Sequence, residues 1–120
     1  PKRDRYAIGE KTQTELVGRP VAGRTYDFAP VIGVFLKEHL FGDIFERDIL
    51  NRQERELATV GALAGIGNVN AQLTSHMRVS MNTGISAEQL QETVRLLGKK
   101  AGPAAGSNAQ RVLDSLLLQK

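Results

Sequence analysis

Four side chains in the middle of this chain have the types that proton transfer and anion binding require. Glu54, Arg55 and Glu56 lie side by side, and His76 follows further along the chain. An imidazole transfers protons near neutral pH, a carboxylate can orient it, and a guanidinium holds a carboxylate in a planar fork. Together these residues form a candidate site for acid–base chemistry on a small anion.

Each of the four also has a purely structural interpretation. His76 lies on an otherwise apolar helical side, which is typical of a core histidine with satisfied hydrogen bonds. Glu54 follows Asn51 by three residues, the spacing of a capping box, and we favour that role for it. Arg55 and Glu56 fit an exposed helix surface as well as a site.

The sequence lacks the residues that several other common kinds of site require. The chain has no cysteine, which excludes disulfides, thiolate metal sites and thiol redox chemistry. The two histidines, His39 and His76, are not at a metal-binding spacing, so we expect no metal and interpret His39 as structural. The glycine-rich stretch 61–67 has neither the lysine of a P-loop nor the spacing of a dinucleotide turn, which favours close helix packing instead.

Helices must position these residues, because apolar side chains recur at helical spacing and almost nowhere alternate. We predict an all-α, single-domain fold over residues 1–120, with an N-terminal arm at 1–26 and a helical core at 27–120. The arm contains an amphipathic segment at 5–17, followed by a connector at 21–26. Asp27 is the predicted N-cap of the first core helix, and Gly42 is its predicted end.

The centre of this prediction is an antiparallel helix pair at 52–64 and 69–82. A short glycine-rich turn joins the two segments, so they should lie side by side and their side chains can meet. Ser86 and Gln89 have the spacing of a capping box and predict a third helix to about residue 99. A break at 102–103 precedes a terminal helix with an apolar face.

Charge and hydropathy exclude several partners. The net charge of +3 is spread along the chain, and with no Trp, 2 Tyr and 4 Phe we expect no nucleic-acid binding. The uncharged stretch 57–75 is too polar and too broken to span a bilayer, so we expect no membrane insertion. Residues 7–13 contain no signal-peptide core, which makes the cytoplasm the default compartment; a start at Pro1 leaves a removed upstream segment open.

Several motifs resemble the carboxymuconolactone decarboxylase family. Nearly the whole chain is covered, and the combination is more specific than any single part. The motifs are NRQEREL at 51–57, QLTSHMRVSMNTGIS at 72–86, AGP at 101–103, and towards the N-terminus Arg5-Tyr6 with Gly9, Val17-Gly18 and LFGDIFER at 40–47.

The resemblance implies an alkylhydroperoxidase D-like all-α fold and subunits assembled as a homotrimer or homohexamer. It also separates two chemistries. The peroxidase branch uses a Cys-x-x-Cys on the helix that bears the family histidine, and the corresponding residues 69–72 contain no cysteine. Thiol peroxidase activity is therefore not expected, and the chain resembles the cysteine-free decarboxylase branch.

The resemblance further implies a cofactor-free lyase that decarboxylates a small anionic lactone or related acid. In that interpretation His76, Glu56 and Arg55 are catalytic: His76 delivers the proton, Glu56 orients it and Arg55 holds the anion. Arg47 and Arg78 are the expected substrate-binding residues, and no cofactor is expected. The alternative is a non-catalytic binding or assembly member of the same family.

Overall fold

The computed structural model describes residues 2–119, in which every regular element is helical and no β-strand occurs. The all-α prediction is therefore confirmed. Pro1 and Lys120, the end residues of the predicted arm and core, lie outside the described residues. The chain divides into two compact units, and the division lies between Asn51 and Arg52. The single domain over residues 1–120, with its arm at 1–26 and its core at 27–120, stays a prediction.

The first unit contains three short α-helices and a π-helix. These are α1 (Arg5–Val17), α2 (Arg24–Phe28), α3 (Pro30–Phe35) and the π-helix Leu36–Ile44, which continues α3. Asp4 caps α1 by accepting a hydrogen bond from the Ala7 amide at 2.9 Å. The helix ends at Gly18, whose φ of 83° is the left-handed conformation that glycine adopts without strain. The bounds of the predicted segment at 5–17 are thus those observed.

The prediction for the next helix was wrong at both ends. Asp27 is not an N-cap but lies inside α2, and the longer helix begins at Pro30. Proline is suited to a first helical position because it has no N–H to leave unsatisfied there. Gly42 does not end the helix either, because the π-helix continues through it to Ile44.

Close backbone contact explains why glycine stands at position 42. A Cβ atom there would lie 2.4 Å from the Arg5 carbonyl oxygen, and one at Gly9 would lie 1.6 Å from the Lys37 carbonyl oxygen. Both distances are far below van der Waals contact, so α1 and the π-helix approach too closely for side chains between them.

The second unit is a bundle of four longer helices. They are α4 (Arg52–Ile66), α5 (Asn70–Asn82), α6 (Ala87–Lys100) and α7 (Pro103–Leu118). All four contribute apolar side chains to one core, in which Val60, Leu73, Leu90 and Leu113 are fully buried. The predicted capping box at the start of α6 is present, with Ser86 and Gln89 bonded reciprocally at 2.9 and 3.1 Å.

Helices α4 and α5 form the predicted antiparallel pair. Gly67 and Asn68 make the turn between them, with φ values of 76° and 56°. At the opposite end, the Gln53 side-chain amide donates to the Thr83 carbonyl at 2.7 Å, which joins the first turn of α4 to the end of α5. The pair is thereby held at both ends.

Candidate active site

Helices α4 and α5 bring together one carboxylate and one imidazole. Glu56 lies in the second turn of α4 and His76 in the middle of α5, and His76 Nδ1 is 2.8 Å from Glu56 Oε2. The antiparallel packing of the two helices is what makes this contact possible.

The two partners differ strongly in exposure. The Glu56 side chain is only 3% exposed, whereas that of His76 is 38% exposed. Burial of a carboxylate costs free energy unless a donor satisfies it, and the imidazole supplies one. An ionised carboxylate can only accept, so in that state Nδ1 donates this hydrogen bond and Nε2 is the ring nitrogen left for a ligand.

The helix around His76 is itself well anchored. Ser80 is fully buried and its hydroxyl donates to the His76 carbonyl oxygen at 2.7 Å. Leu73, one turn before His76, and Met77, directly after it, belong to the apolar core. The imidazole therefore projects from a part of α5 that is packed against the core.

The predicted arginines do not all share this location. Arg55 precedes Glu56 on α4 and is half-buried, with its Nε atom shielded from solvent. Arg78 lies two residues after His76 and so on another face of α5, where its guanidinium donates to Gln119 at 3.0 Å. Arg47 belongs to the first unit, after the π-helix, and is exposed. The roles of all five predicted site residues stay predictions.

Arg78 borders a small cavity of the second unit. The cavity has a volume of about 200 Å³, and Met81, Leu116 and Gln119 contribute to its wall. A guanidinium at the edge of such a depression can bind an anion.

Sequence reasoning missed Gln53, which joins the start of α4 to the end of α5 through its bond to Thr83. The sequence contained only an indirect signal for this role of Gln53. The last carbonyl groups of a helix need donors from elsewhere, and antiparallel pairing places the first turn of α4 beside the end of α5. A polar side chain in that first turn was therefore a candidate donor.

The described part of the chain shows neither a membrane span nor a metal centre. No helix in it is both long and apolar enough to cross a bilayer. Within residues 2–119, no three His, Asp or Glu side chains converge as metal ligands would.

Comparison with known proteins relates the chain to one family. Residues 32–114 match the carboxymuconolactone decarboxylase family. The chain is also 26% identical, over 116 residues, to a 4-carboxymuconolactone decarboxylase of Acinetobacter baylyi, an alignment that covers 93% of this chain and 86% of the relative. Because the matched region is well over half of the sequence and the observed fold is all-α, this chain belongs to the carboxymuconolactone decarboxylase family.

Proposed function

We propose that this protein is a cofactor-free lyase that decarboxylates a small anionic lactone. The family and the activity named for the relative from Acinetobacter baylyi support the reaction class. The observation that carries the proposal is the Glu56–His76 pair, because it joins a buried carboxylate to an imidazole that is open to a ligand.

The proposed reaction breaks the bond between the lactone and its carboxylate. Carbon dioxide leaves, and the electron pair stays behind, delocalised through the unsaturated lactone to its carbonyl oxygen. His76 then transfers a proton from Nε2 to the carbanionic carbon, while Glu56 holds the ring through Nδ1 and stabilises its positive form. The substrate itself supplies the electron sink, so these steps need no cofactor.

Arginines complete the proposed mechanism by binding the anion. Arg55 is the proposed catalytic arginine, since it adjoins Glu56 in the sequence and stabilises negative charge through its planar fork. Arg47 and Arg78 are the residues expected to bind substrate carboxylates; Arg78 can do so at the edge of its own cavity, on another face of α5 from His76, and both roles stay predictions.

Release of carbon dioxide from 4-carboxymuconolactone tests the proposal directly. We expect the purified protein to accelerate release, and His76→Gln to lower the rate by a factor on the order of a hundred or more. The matched control is His39→Gln, which replaces the other histidine, a side chain stacked on Phe35 in the first unit. Circular dichroism and thermal unfolding should show both variants folded.

Two results would contradict the proposal. One is wild-type protein that releases no carbon dioxide above the uncatalysed rate. The other is a folded His76→Gln variant that retains near wild-type turnover, or loses no more activity than His39→Gln.

A further inference from the structure

The first unit contains a cavity that the proposed reaction does not use. Its volume is about 200 Å³, and it lies between α1, the segment that follows α1, and α3 with the start of the π-helix. Its walls are largely apolar or aromatic and include a few polar groups. The residues that matter here are Tyr6, Gln13, Val21, Tyr26, Val34 and Lys37.

Gln13 is the first sign that the cavity is adapted to a polar ligand. The residue is only 5% exposed, and no hydrogen bond joins its side-chain amide to any residue between 2 and 119. The side-chain atoms of residues 2–119 that are closed off from solvent without a hydrogen-bond partner do not include the Gln13 amide, so this amide keeps some access to solvent through the cavity. The cavity that Gln13 lines is the place from which a ligand can supply the missing partner.

Lys37 and Tyr6 provide further donors in the same wall. The Lys37 ammonium donates to Tyr6 Oη at 3.1 Å and to Glu10 Oε1 at 2.8 Å. An ammonium has three N–H donors, so one remains. The Tyr6 hydroxyl accepts from Lys37 and keeps its own proton to donate.

Glu10, the carboxylate that is paired with Lys37, contributes to the wall of a second cavity. Glu10 lines a neighbouring cavity of about 380 Å³, together with Thr14, Pro20, Val21 and Lys37, and it is not part of the wall that contains Gln13. An anionic ligand is therefore favoured on the Gln13 and Tyr6 side of Lys37, where donors surround it and no carboxylate lines the wall.

We propose that this cavity binds a small monocarboxylate with one flat apolar ring. Its carboxylate accepts hydrogen bonds from Gln13, Tyr6 and Lys37, and its ring packs against Tyr26 and Val34. The size is suitable, since a cavity of about 150 Å³ is enough to hold benzene. The ligand class follows from the wall alone and does not rest on the proposed lyase activity.

Titration of the full-length protein with benzoate tests this proposal. We expect saturable binding by calorimetry, with benzyl alcohol at least about tenfold weaker because it lacks the charge. Gln13→Leu and Tyr6→Phe should each weaken benzoate binding by about tenfold or more. The matched control is Gln72→Leu, an exposed glutamine of α5, which should bind benzoate as the wild type does.

Thermal unfolding without ligand separates this role from a structural one. Because the Gln13 amide has no partner to lose, Gln13→Leu should unfold at the wild-type temperature or above it. A large fall in its melting temperature would show a structural amide and overturn the proposal. The proposal would also be overturned if the wild-type protein showed no saturable binding up to about 10 mM benzoate. The same holds if Gln13→Leu and Tyr6→Phe both bound benzoate as the wild type does.

Discussion

At the scale of single residues, the two partners of the Glu56–His76 contact differ strongly in their exposure to solvent. The carboxylate is almost completely buried and the imidazole is more than one-third exposed. Their 2.8 Å hydrogen bond satisfies the carboxylate and fixes the orientation of the ring. The pair therefore places an oriented imidazole at the surface of the second unit.

Glu56→Gln should lower decarboxylation by about tenfold or more, because an amide keeps the hydrogen bond to Nδ1 but cannot stabilise a positive imidazole. The measurement is kcat/KM for 4-carboxymuconolactone, with thermal unfolding as a check on folding. Glu54→Gln is the matched control, since Glu54 is exposed and two residues away on α4. A larger loss in Glu54→Gln than in Glu56→Gln would show that Glu56 does not have the orienting role.

The second prediction at the scale of single residues is that the contribution of Lys37 to stability depends on pH. Its hydrogen bond to Glu10, with a smaller contribution from Tyr6, raises the pKa of Lys37 above the ordinary value of 10.5. A pKa that is higher in the folded state means that the charged lysine stabilises the fold. That contribution is complete below 10.5, the pKa of the unfolded chain, and is lost as the pH rises through the folded value.

Urea unfolding of wild-type protein and Lys37→Met over a pH series measures this effect. The difference in unfolding free energy between the two proteins should be constant near neutral pH and should shrink above a pH of about 10.5. Comparison with the variant removes the titration of other lysines and tyrosines. A difference that stays constant, or grows with pH, would contradict the assignment.

At the scale of elements, glycine contacts determine how closely helices approach. A Cβ atom at Gly106 of α7 would lie 2.5 Å from the Gly98 Cα atom of α6. The two helices therefore touch backbone to backbone, and side-chain bonds between Gln91 and Gln110 accompany this crossing. Neither helix can shift without disturbing the core that both share with α4 and α5.

Gly106→Ala should therefore destabilise the protein by about 1–3 kcal/mol, because the added methyl group forces the helices apart. Gly61→Ala is the matched control. Gly61 lies in the middle of α4, and a methyl group added there would meet nothing within 4 Å, so the close helix packing expected of the stretch 61–67 was wrong at this position. Alanine should therefore stabilise by about 0.5–1 kcal/mol through helix propensity. Chemical denaturation measures both, and equal effects of the two substitutions would argue against the close crossing.

At the scale of the whole molecule, the first unit exposes an apolar face that a second copy can cover. Phe28 is 91% exposed and Val31 is 71% exposed, and Phe35 adds a further exposed ring on α3. Large apolar side chains exposed on two consecutive helices favour an interface there. We therefore propose that the protein is a homo-oligomer, with a trimer or a hexamer as the expected states.

Light scattering at micromolar concentration should show a particle several times the 13.1 kDa mass of one chain. Phe28→Glu should lower the oligomeric state, because it places a charge in the apolar face. Lys99→Glu, an exposed position on α6, changes the charge elsewhere and should leave the mass unchanged. A wild-type monomer at this concentration would contradict the assembly.

The sequence by itself determined the helical class and most helix ends of the second unit. Local signals were sufficient there: the capping residues Ser86 and Gln89, glycines at the breaks, and apolar spacing along each segment. These signals act within a few residues, so they can be interpreted without knowing what the helices pack against. The short turn at 67–68 also implied the antiparallel pair, which made a meeting of Glu56 and His76 predictable in principle.

Tertiary structure alone decided the features that depend on residues far apart in the chain. Gly42 has the residue type of a helix end, yet the π-helix continues through it, and the close approach of the Arg5 carbonyl is what requires glycine there. The exposure of His76 against the burial of Glu56, and the unpaired amide of Gln13 in its cavity, likewise follow from packing. Periodicity can place a residue on a face of a helix, but burial and hydrogen bonding depend on which neighbour covers that face.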